Sequence, residues 1–515
     1  MNEYFLGIDF GTGGCKAALI DDQGNELGYS FREYPIIYDH PGWSEHDPSL
    51  YWKYLCEMFL EIIDKNHVSH KQIKGVGVSS ALPALVMIDS SGTPINHAYN
   101  LLDRRATEEV NWIREHIGED EIYKITGYQL GDFPSIVNLM WERNNRPESY
   151  KRIYKGLTIG SYIVYLLTGE AKINQSDAYF FGAYDIRKNK FDEKIIDDLG
   201  LDQNHFSEVH PCDEIAGYVT GNAAKKCGLV EGIPVASQAD AMAGWIGAGA
   251  TRIGDFQCNL GTVGNFGIIH QDHDFVQSQV GYLMGINSPY TIRDTLVTIP
   301  STMTGGQSLR YIRDSFSNLE IEAERLLDVS VYDLLTLEAS KISIGCDGLI
   351  VLPLLMGERS PLWDPYARGV IFGLSLNHTK AHFIRAMMEG VAFAMYSSFQ
   401  LIKEADLQIN YPMVMNEGGA VSSLWRKIIS DVFNIPTVLV KRRTGAPYGD
   451  AILAGVIAGV FPDFSIANEW VEYIDPIKPS QENHEKYMQY FDIYKNIYPN
   501  LKDEFSNLAK IRDSI

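Results

Sequence analysis

The residues of this 515-residue chain best suited to chemistry lie in two short turns of glycine and threonine. The first is Asp9-Phe10-Gly11-Thr12-Gly13-Gly14-Cys15-Lys16, and the second is Asn259-Leu260-Gly261-Thr262-Val263-Gly264. A glycine-rich turn between two strands leaves backbone N–H groups unpaired, and with no Cβ in the way they can crowd around an anion. Thr12 and Thr262 add hydroxyls, and Lys16 can give a charged contact to a β- or γ-phosphate. Asp9, an acceptor-only carboxylate at a strand end, suits Mg2+ or its waters. Taken alone, the first turn is equally an ordinary hairpin with a surface lysine. The second turn favours phosphate, because a triphosphate is well held by loops that clamp it from opposite sides. A further acid, Asp240, stands before a run of small residues, Ala241-Met242-Ala243-Gly244, where it could serve as a helix N-cap.

Turns of this kind need strands to hold them. Residues 4–10 and 15–20 are β-like and flank the first turn as a hairpin, with a third strand at 26–34. Helical patterns follow at 48–65 and 106–116, with further strands at 73–79 and 84–89 split by Ser80-Ala81-Leu82-Pro83. Near residue 250 the pattern restarts, with β-like runs at 255–260 and 265–270 around the second turn. The similar setting of the two turns points to a duplication on the scale of a domain. The small-residue stretch Gly247-Ala248-Gly249-Ala250 marks the boundary and a hinge. The division is therefore residues 1–249, residues 250–490 and a helical tail at 491–515, with the working site in the cleft between the halves.

Composition limits the partners. With 44 basic and 66 acidic residues the formal charge is −22, which repels phosphate backbones and anionic membranes. An anion such as ATP must then be met by local donors and a metal. The six cysteines are scattered with no CxxC pair, so neither a disulfide framework nor a zinc site is expected, and a reducing cytoplasm is the natural compartment. The N-terminal MNEYFLGIDF does not read as a signal peptide, and the longest apolar runs fall well short of the ~20 residues of a membrane span.

The set of motifs resembles the FGGY family of sugar kinases, within the actin, hexokinase and heat-shock ATPase superfamily, over roughly residues 4–480. Gly369-Val370-Ile371-Phe372-Gly373-Leu374, with His382 and Ala386-Met387-Met388-Glu389, is similar to the family's C-terminal signature. Asn416-Glu417-Gly418-Gly419-Ala420-Val421-Ser422-Ser423 resembles its adenosine-binding turn, with Gly418 and Gly419 close to the nucleotide and Ser423 reaching adenine or ribose. Thr304-Gly305-Gly306-Gln307 resembles the loop bordering the phosphates, and Asp240 matches the general base. The resemblance implies a two-domain actin-like (ribonuclease H-like) α/β fold with an interdomain cleft. It also implies ATP and Mg2+ as cofactors, with Asp9 near the metal. A small sugar would be the substrate, and a homodimer the assembly. Phosphoryl transfer asks the protein mainly to align groups and to accept the hydroxyl proton late, which a carboxylate at 240 can do.

The sugar side departs from its relatives. The likeness is nearest overall to xylulose kinases, and Pro41-Gly42-Trp43-Ser44-Glu45-His46-Asp47-Pro48 resembles a segment that they and gluconate kinases share. Trp43 either covers the sugar's apolar face or staples the following helix. Asp103 and Arg105 match the family's Asp-x-Arg element, with Asp103 accepting sugar hydroxyls and Arg105 bracing it. Where those relatives carry Gln-Met-His or Met-His in the substrate loop, this chain has Ala81-Leu82-Pro83. Ala241 replaces the amide that xylulose and glycerol kinases have after the base, and Asn138 replaces a lysine. A pocket built with Leu82 and Pro83 should reject a substrate that needed the histidine's hydrogen bond. The reading is thus an ATP-dependent kinase for a primary hydroxyl of xylulose or a related pentulose. The alternatives are another sugar acid, keto-sugar or polyol (gluconate-like or glycerol-like), a non-sugar actin-like ATPase, and a silent sugar sensor.

Overall fold

The computed structural model describes residues 2–131, 135–441 and 445–513. The chain opens with the expected meander. β1 (Tyr4–Phe10) and β2 (Gly14–Asp21) pair antiparallel with Asp9 opposite Lys16, and β3 (Glu26–Glu33) continues the sheet. A two-residue strand, β4 (Glu45–His46), leads into α1 (Ser49–Lys65), which lays Leu55, Phe59 and Ile62 on the sheet. β5 (Ile73–Ser80) then runs parallel to β1. The chain leaves the sheet at Ala81–Pro83, and the strand expected at 84–89 is shorter, Val86–Ile88, and pairs with Lys155–Leu157 outside it. β6 (Ala98–Tyr99) pairs with β4, and α2 (Ser135–Asn145) lies beyond it. β7 (Gly217–Tyr218) and β8 (Pro234–Ala239) complete the order β7-β8-β5-β1-β2-β3. Helix α3 (Asp240–Gly247) follows β8 without a loop.

The second half repeats this path. β9 (Phe256–Leu260) and β10 (Gly264–His270) form the hairpin, extended by β11 (Asn287–Pro289), β12 (Leu296–Thr298) and β13 (Ser301–Thr302). After α4 (Gln307–Phe316) and the long α5 (Lys380–Glu404), β14 (Met413–Asn416) runs parallel to β9 as β5 does to β1. Then come α6 (Ser423–Phe433), β15 (Thr437–Val440), α7 (Ala446–Ile457), β16 (Tyr473–Ile477) and α8 (Gln481–Asp513). The sheet order is β11-β12-β10-β9-β14-β15-β16. In both sheets a first strand has an antiparallel partner on one side and two successive parallel strands on the other.

The halves are joined by two equivalent helices, since α3 follows β8 as α7 follows β15. A Cβ on Gly449 of α7 would lie 1.8 Å from the Ala243 carbonyl of α3. α7 also lies against the first sheet. A Cβ at Gly7 would stand 1.9 Å from the Pro447 carbonyl, and one at Gly77 1.9 Å from that of Asp450. Glycine in these strands lets helix backbone approach strand backbone directly. Ala451, Ile452 and Leu453 thereby share one core with Phe5, Ile20, Met242 and Trp245. The C-terminal segment is helical as expected, but α8 starts ahead of residue 491, at Gln481, and buries Tyr487, Phe491 and Tyr494 against Phe393 and Tyr396 of α5.

Candidate active site

Asp9 is the last but one residue of β1, Lys16 faces it from β2, and Asp240 is the first residue of α3. All three line one cleft of about 560 Å³, whose opposite wall carries Asn259, Asn416, Glu417 and Gly418 of the second half. Asp240 does not cap its helix: the N-cap position is Ala239, no side chain caps it, and Asp240 Oδ1 accepts from the Ala241 N–H at 2.7 Å. The carboxylate is half-buried and open to the cleft.

Burial, with the charge of Asp240 beside it, pushes the Asp9 carboxyl up to about 7 against the pull of Lys16. Burial raises Asp240 to about 6, with the Ala241 N–H and Lys16 pulling back. A third acid, Asp450 of α7, is fully buried beneath them. Its Oδ2 lies 2.6 Å from Ser79 Oγ, its Oδ1 accepts from Gln238 Nε2 at 3.0 Å, and Thr291 holds the far oxygen of Gln238. Sequence reading missed Asp450; the signal was an aspartate within an otherwise apolar helix. No group of three His, Cys, Asp or Glu side chains among the described residues is placed to hold a metal unaided. Mg2+ needs no such cage, since it is held by one or two carboxylates together with phosphate oxygens and water. Asp9, acidic, raised by its surroundings and open to the cleft, fits that demand.

Glu417 and Gly418 also line a second cavity of about 450 Å³, with Gly261, Thr262, Gly306, Gln307, Tyr332 and Gly419. Its floor is two loops in backbone contact. The N–H groups of Gly305 and Gln307 donate to the Thr262 carbonyl at 3.0 and 3.2 Å, and a Cβ at Gly305 would lie 2.4 Å from the Val263 carbonyl carbon. At Gly418, by contrast, a Cβ would meet nothing within 4 Å. Gly264 is buried in β10 against Thr302 and Met395 and stands behind the cavity. Ser422, which caps α6 by accepting from the Trp425 N–H, lines the cavity; Ser423 is the first residue of that helix and is not part of the lining. Gly11, Thr12 and Gly13 sit half-buried or exposed between Asp9 and Lys16, beside the cleft lining rather than in it.

The sugar-side candidates form a separate cluster. Asp103 is 1% exposed, and four donor groups already converge on it: the Ser44 N–H, the Arg105 N–H, the Arg105 guanidinium and Asn138 Nδ2. Asn138, the position singled out in the sequence, thus donates to Asp103. Arg105 also reaches Glu45 Oε1 at 2.6 Å, stacks 4.0 Å from Trp43 and 3.8 Å from Tyr99, and leaves its Nη1 buried without a partner. Trp43 packs edge-on to Trp141 and against Arg105, so it covers this ion pair and does not staple α1. Leu82 is partly buried against the core that α3 and α7 share, and Pro83 is buried. α2 joins the two places, with Ser135 Oγ donating to the Ala84 carbonyl and Asn138 to Asp103. Pro134, which precedes this helix, lies outside the described residues.

A duplicated α/β fold of two halves, with carboxylates on one wall of the cleft and glycine loops on the other, defines an actin-like ATPase fold with a phosphotransferase site. The descriptions "FGGY family of carbohydrate kinases, N-terminal domain" and "C-terminal domain" match residues 4–247 and 258–458. The chain belongs to the FGGY family of carbohydrate kinases, which are ATP-dependent phosphotransferases acting on sugar hydroxyls. It is 28% identical over 512 residues to the xylulose kinase of Bacillus subtilis (strain 168), covering 99% of both chains. To the gluconokinase of the same organism it is also 28% identical over 512 residues, covering 99% of this chain and 98% of that one. The crystal structure of xylulose kinase from Rhodospirillum rubrum superposes with a TM-score of 0.88 at 23% identity, covering 98% of this chain and all of the other. No described helix is long and apolar enough to cross a membrane.

Proposed function

We propose that this chain transfers the γ-phosphoryl group of ATP to a primary hydroxyl of a small keto-sugar, xylulose or a related pentulose, with Asp240 as the general base. The observation that carries the reading is the placement of Asp240, Asp9 and Lys16 on one wall of the cleft that continues, through Glu417 and Gly418, into the glycine-floored cavity. A nucleotide with adenosine over Gly418 and Gly419 and phosphates along Gly261, Thr262, Gly305 and Gly306 directs its terminal phosphate toward Asp240. Lys16 supplies positive charge there, and the Thr12 and Gly13 N–H groups can reach the phosphoryl oxygens from the cleft's edge, the Gly11 N–H being taken by the Gly14 carbonyl. Mg2+, held by Asp9 and the phosphates, would offset the charge of the triphosphate. Asp240 accepts the sugar hydroxyl proton as the new O–P bond forms.

On the acceptor side, Leu82 and Pro83 shape an apolar wall, and the half-buried Trp43 offers a ring face backed by Arg105, which Asp103 and Glu45 clamp beneath it. The saturated state of Asp103 makes it a brace for Arg105, and direct contact with the sugar falls to Trp43, which Arg105 supports from below. A gluconate-like acid is the second reading, favoured by the gluconokinase relative. The six free cysteines agree with a reducing cytoplasm, and a homodimer is the proposed assembly. The experiment is a coupled assay of ADP release over pentuloses, hexuloses, polyols and sugar acids. Strong stimulation by a pentulose is expected; stimulation by sugar acids alone selects the second reading, and none across the panel rejects both.

A further inference from the structure

β4 is only two residues long, yet alternation along a strand sends its neighbouring side chains to opposite sides. Glu45 turns to the sugar side and accepts from Arg105. His46 turns the other way, into a closed cluster behind the first glycine turn. Its ring lies 4.9 Å from that of Tyr34, its Nδ1 is 2.8 Å from the Tyr51 hydroxyl, and its Nε2 is 3.2 Å from Asn100 Nδ2. Tyr34 in turn grips the turn at two points: its hydroxyl donates to the Gly11 carbonyl and its N–H to the Gly13 carbonyl. Burial keeps the His46 imidazole neutral, with the Thr12 backbone pulling the other way.

Asn100 closes the path back to the sugar side. Its N–H donates to the Ser44 carbonyl at 3.2 Å, its side-chain oxygen accepts from the Leu102 N–H at 2.9 Å, and its carbonyl accepts from the Asp103 N–H at 3.0 Å. Two short routes therefore run from the Asp103–Arg105 pair to the Gly11–Gly13 turn, one through Glu45 and one through Asn100. Both pass through His46. A sugar that presses on Trp43 moves the Arg105 guanidinium packed against its ring, and so acts on both routes at once.

We infer that His46 is a positioning residue that couples the sugar pocket to the first phosphate turn, so that sugar and nucleotide strengthen each other's binding. This rests on the kinase reading above and adds to it a route for cooperation between the substrates. A neutral imidazole buried only to fill the core would stabilise the fold without joining the two affinities. Coupling is reciprocal: if sugar tightens the nucleotide by some factor, the nucleotide tightens the sugar by the same factor.

The test measures affinity for a non-hydrolysable ATP analogue with Mg2+ by calorimetry, with and without a sugar that the wild-type protein phosphorylates. Wild type should show a coupling factor of about tenfold in both directions. In His46→Leu the factor should fall to within about twofold of unity, with sugar affinity in the absence of nucleotide nearly unchanged. His46→Gln, which keeps hydrogen-bonding atoms, should restore most of it. Tyr34→Phe keeps the ring stack and loses only the hold on Gly11, so it should lower the factor even if His46→Leu does not fold. Unchanged coupling in a folded His46→Leu or in Tyr34→Phe overturns the inference, as does a wild type that turns over without coupling. A wild type that phosphorylates no sugar rejects the kinase reading instead.

Discussion

Asp9 and Asp450, one from each half of the chain, meet through a single hydroxyl: Ser79 Oγ lies 3.3 Å from Asp9 Oδ1 and 2.6 Å from Asp450 Oδ2. One hydroxyl carries one proton, so both contacts are satisfied together only when one of the carboxyls is itself protonated. Burial holds Asp450 far above the ordinary carboxylate range, and it is the carboxyl that keeps the proton. Asp9 is then left as the acceptor open to the cleft, and α7 is tied to the floor of the site.

Asp450→Asn preserves this arrangement, because an amide can accept from Gln238 and donate to Ser79. The melting temperature at neutral pH should stay close to that of wild type. Asp450→Ala leaves Ser79 and Gln238 short of partners, at a cost of about 1–3 kcal/mol, and should lower the melting temperature by about 1–3 °C for a chain of this length. Calorimetric scans of the two variants check this; equal losses would show that shape rather than hydrogen bonding matters at 450.

The raised carboxyls give the ligand-free protein an unusual pH dependence. A carboxyl whose folded-state pKa lies above its unfolded value binds more protons in the native state between the two, so its contribution falls as pH rises through that window. With Asp9 pushed up to about 7 and Asp240 to about 6, that loss runs from about pH 4 to about pH 7. Asp9→Asn should flatten this part of the melting-temperature profile and raise it at pH 8. Adding Mg2+ and ATP should stabilise wild type more at pH 8 than at pH 6.

Local elements were legible in the sequence and long-range ones were not. The hairpins around Gly11–Gly14 and Gly261–Gly264 carry their own turn chemistry, so their strands fall within a residue of the expected bounds. The docking of α7 on the first sheet spans more than 360 residues of chain. Its trace in the sequence is confined to Gly7, Gly75 and Gly77, glycines inside strands where close backbone approach is the physical reason for them. Asp240 illustrates the same limit. Its position before small residues suggested a cap, and only the cleft wall formed by distant segments shows that its carboxylate is free for other work. At the turn read as adenosine-binding, helix α6 begins at Ser423, so it is Ser422 and not the expected Ser423 that faces the cavity, a one-residue difference set by the helix cap.

Gly77→Ala tests that docking. Its Cβ would lie 1.9 Å from the Asp450 carbonyl oxygen and 2.6 Å from its carbon, and backbone on both sides leaves nothing flexible to yield. Overpacking of this kind costs about 1–3 kcal/mol or more. A clear fall in denaturant midpoint is expected, with nucleotide affinity weakened alongside, because α7 and the floor of the cleft move together.

Asp240→Asn keeps the size of the side chain and removes its basicity. Turnover should fall by about 10²–10⁴-fold while affinity for an ATP analogue stays within a few-fold of wild type. In wild type the rate under limiting substrate should drop on the acid side as Asp240 is protonated, with a midpoint near the value of about 6 in the free protein. Near-normal turnover in the asparagine variant would remove Asp240 from the role of base.

Gly418→Val separates nucleotide binding from folding. Gly418 lines both the cleft and the second cavity, and its Cβ direction opens into space free of other atoms within 4 Å. It is not among the residues with positive φ, so a side chain there strains no backbone. Valine would therefore leave the fold intact and project two methyl groups into the volume assigned to the nucleotide. KM for ATP should rise by about tenfold or more, equivalent to about 1.4 kcal/mol of lost binding. The melting temperature without ligand should be unchanged, and KM for the sugar should change by less than about twofold. Unaltered ATP kinetics in this variant would place adenosine elsewhere, since a methyl group cannot share space with a base.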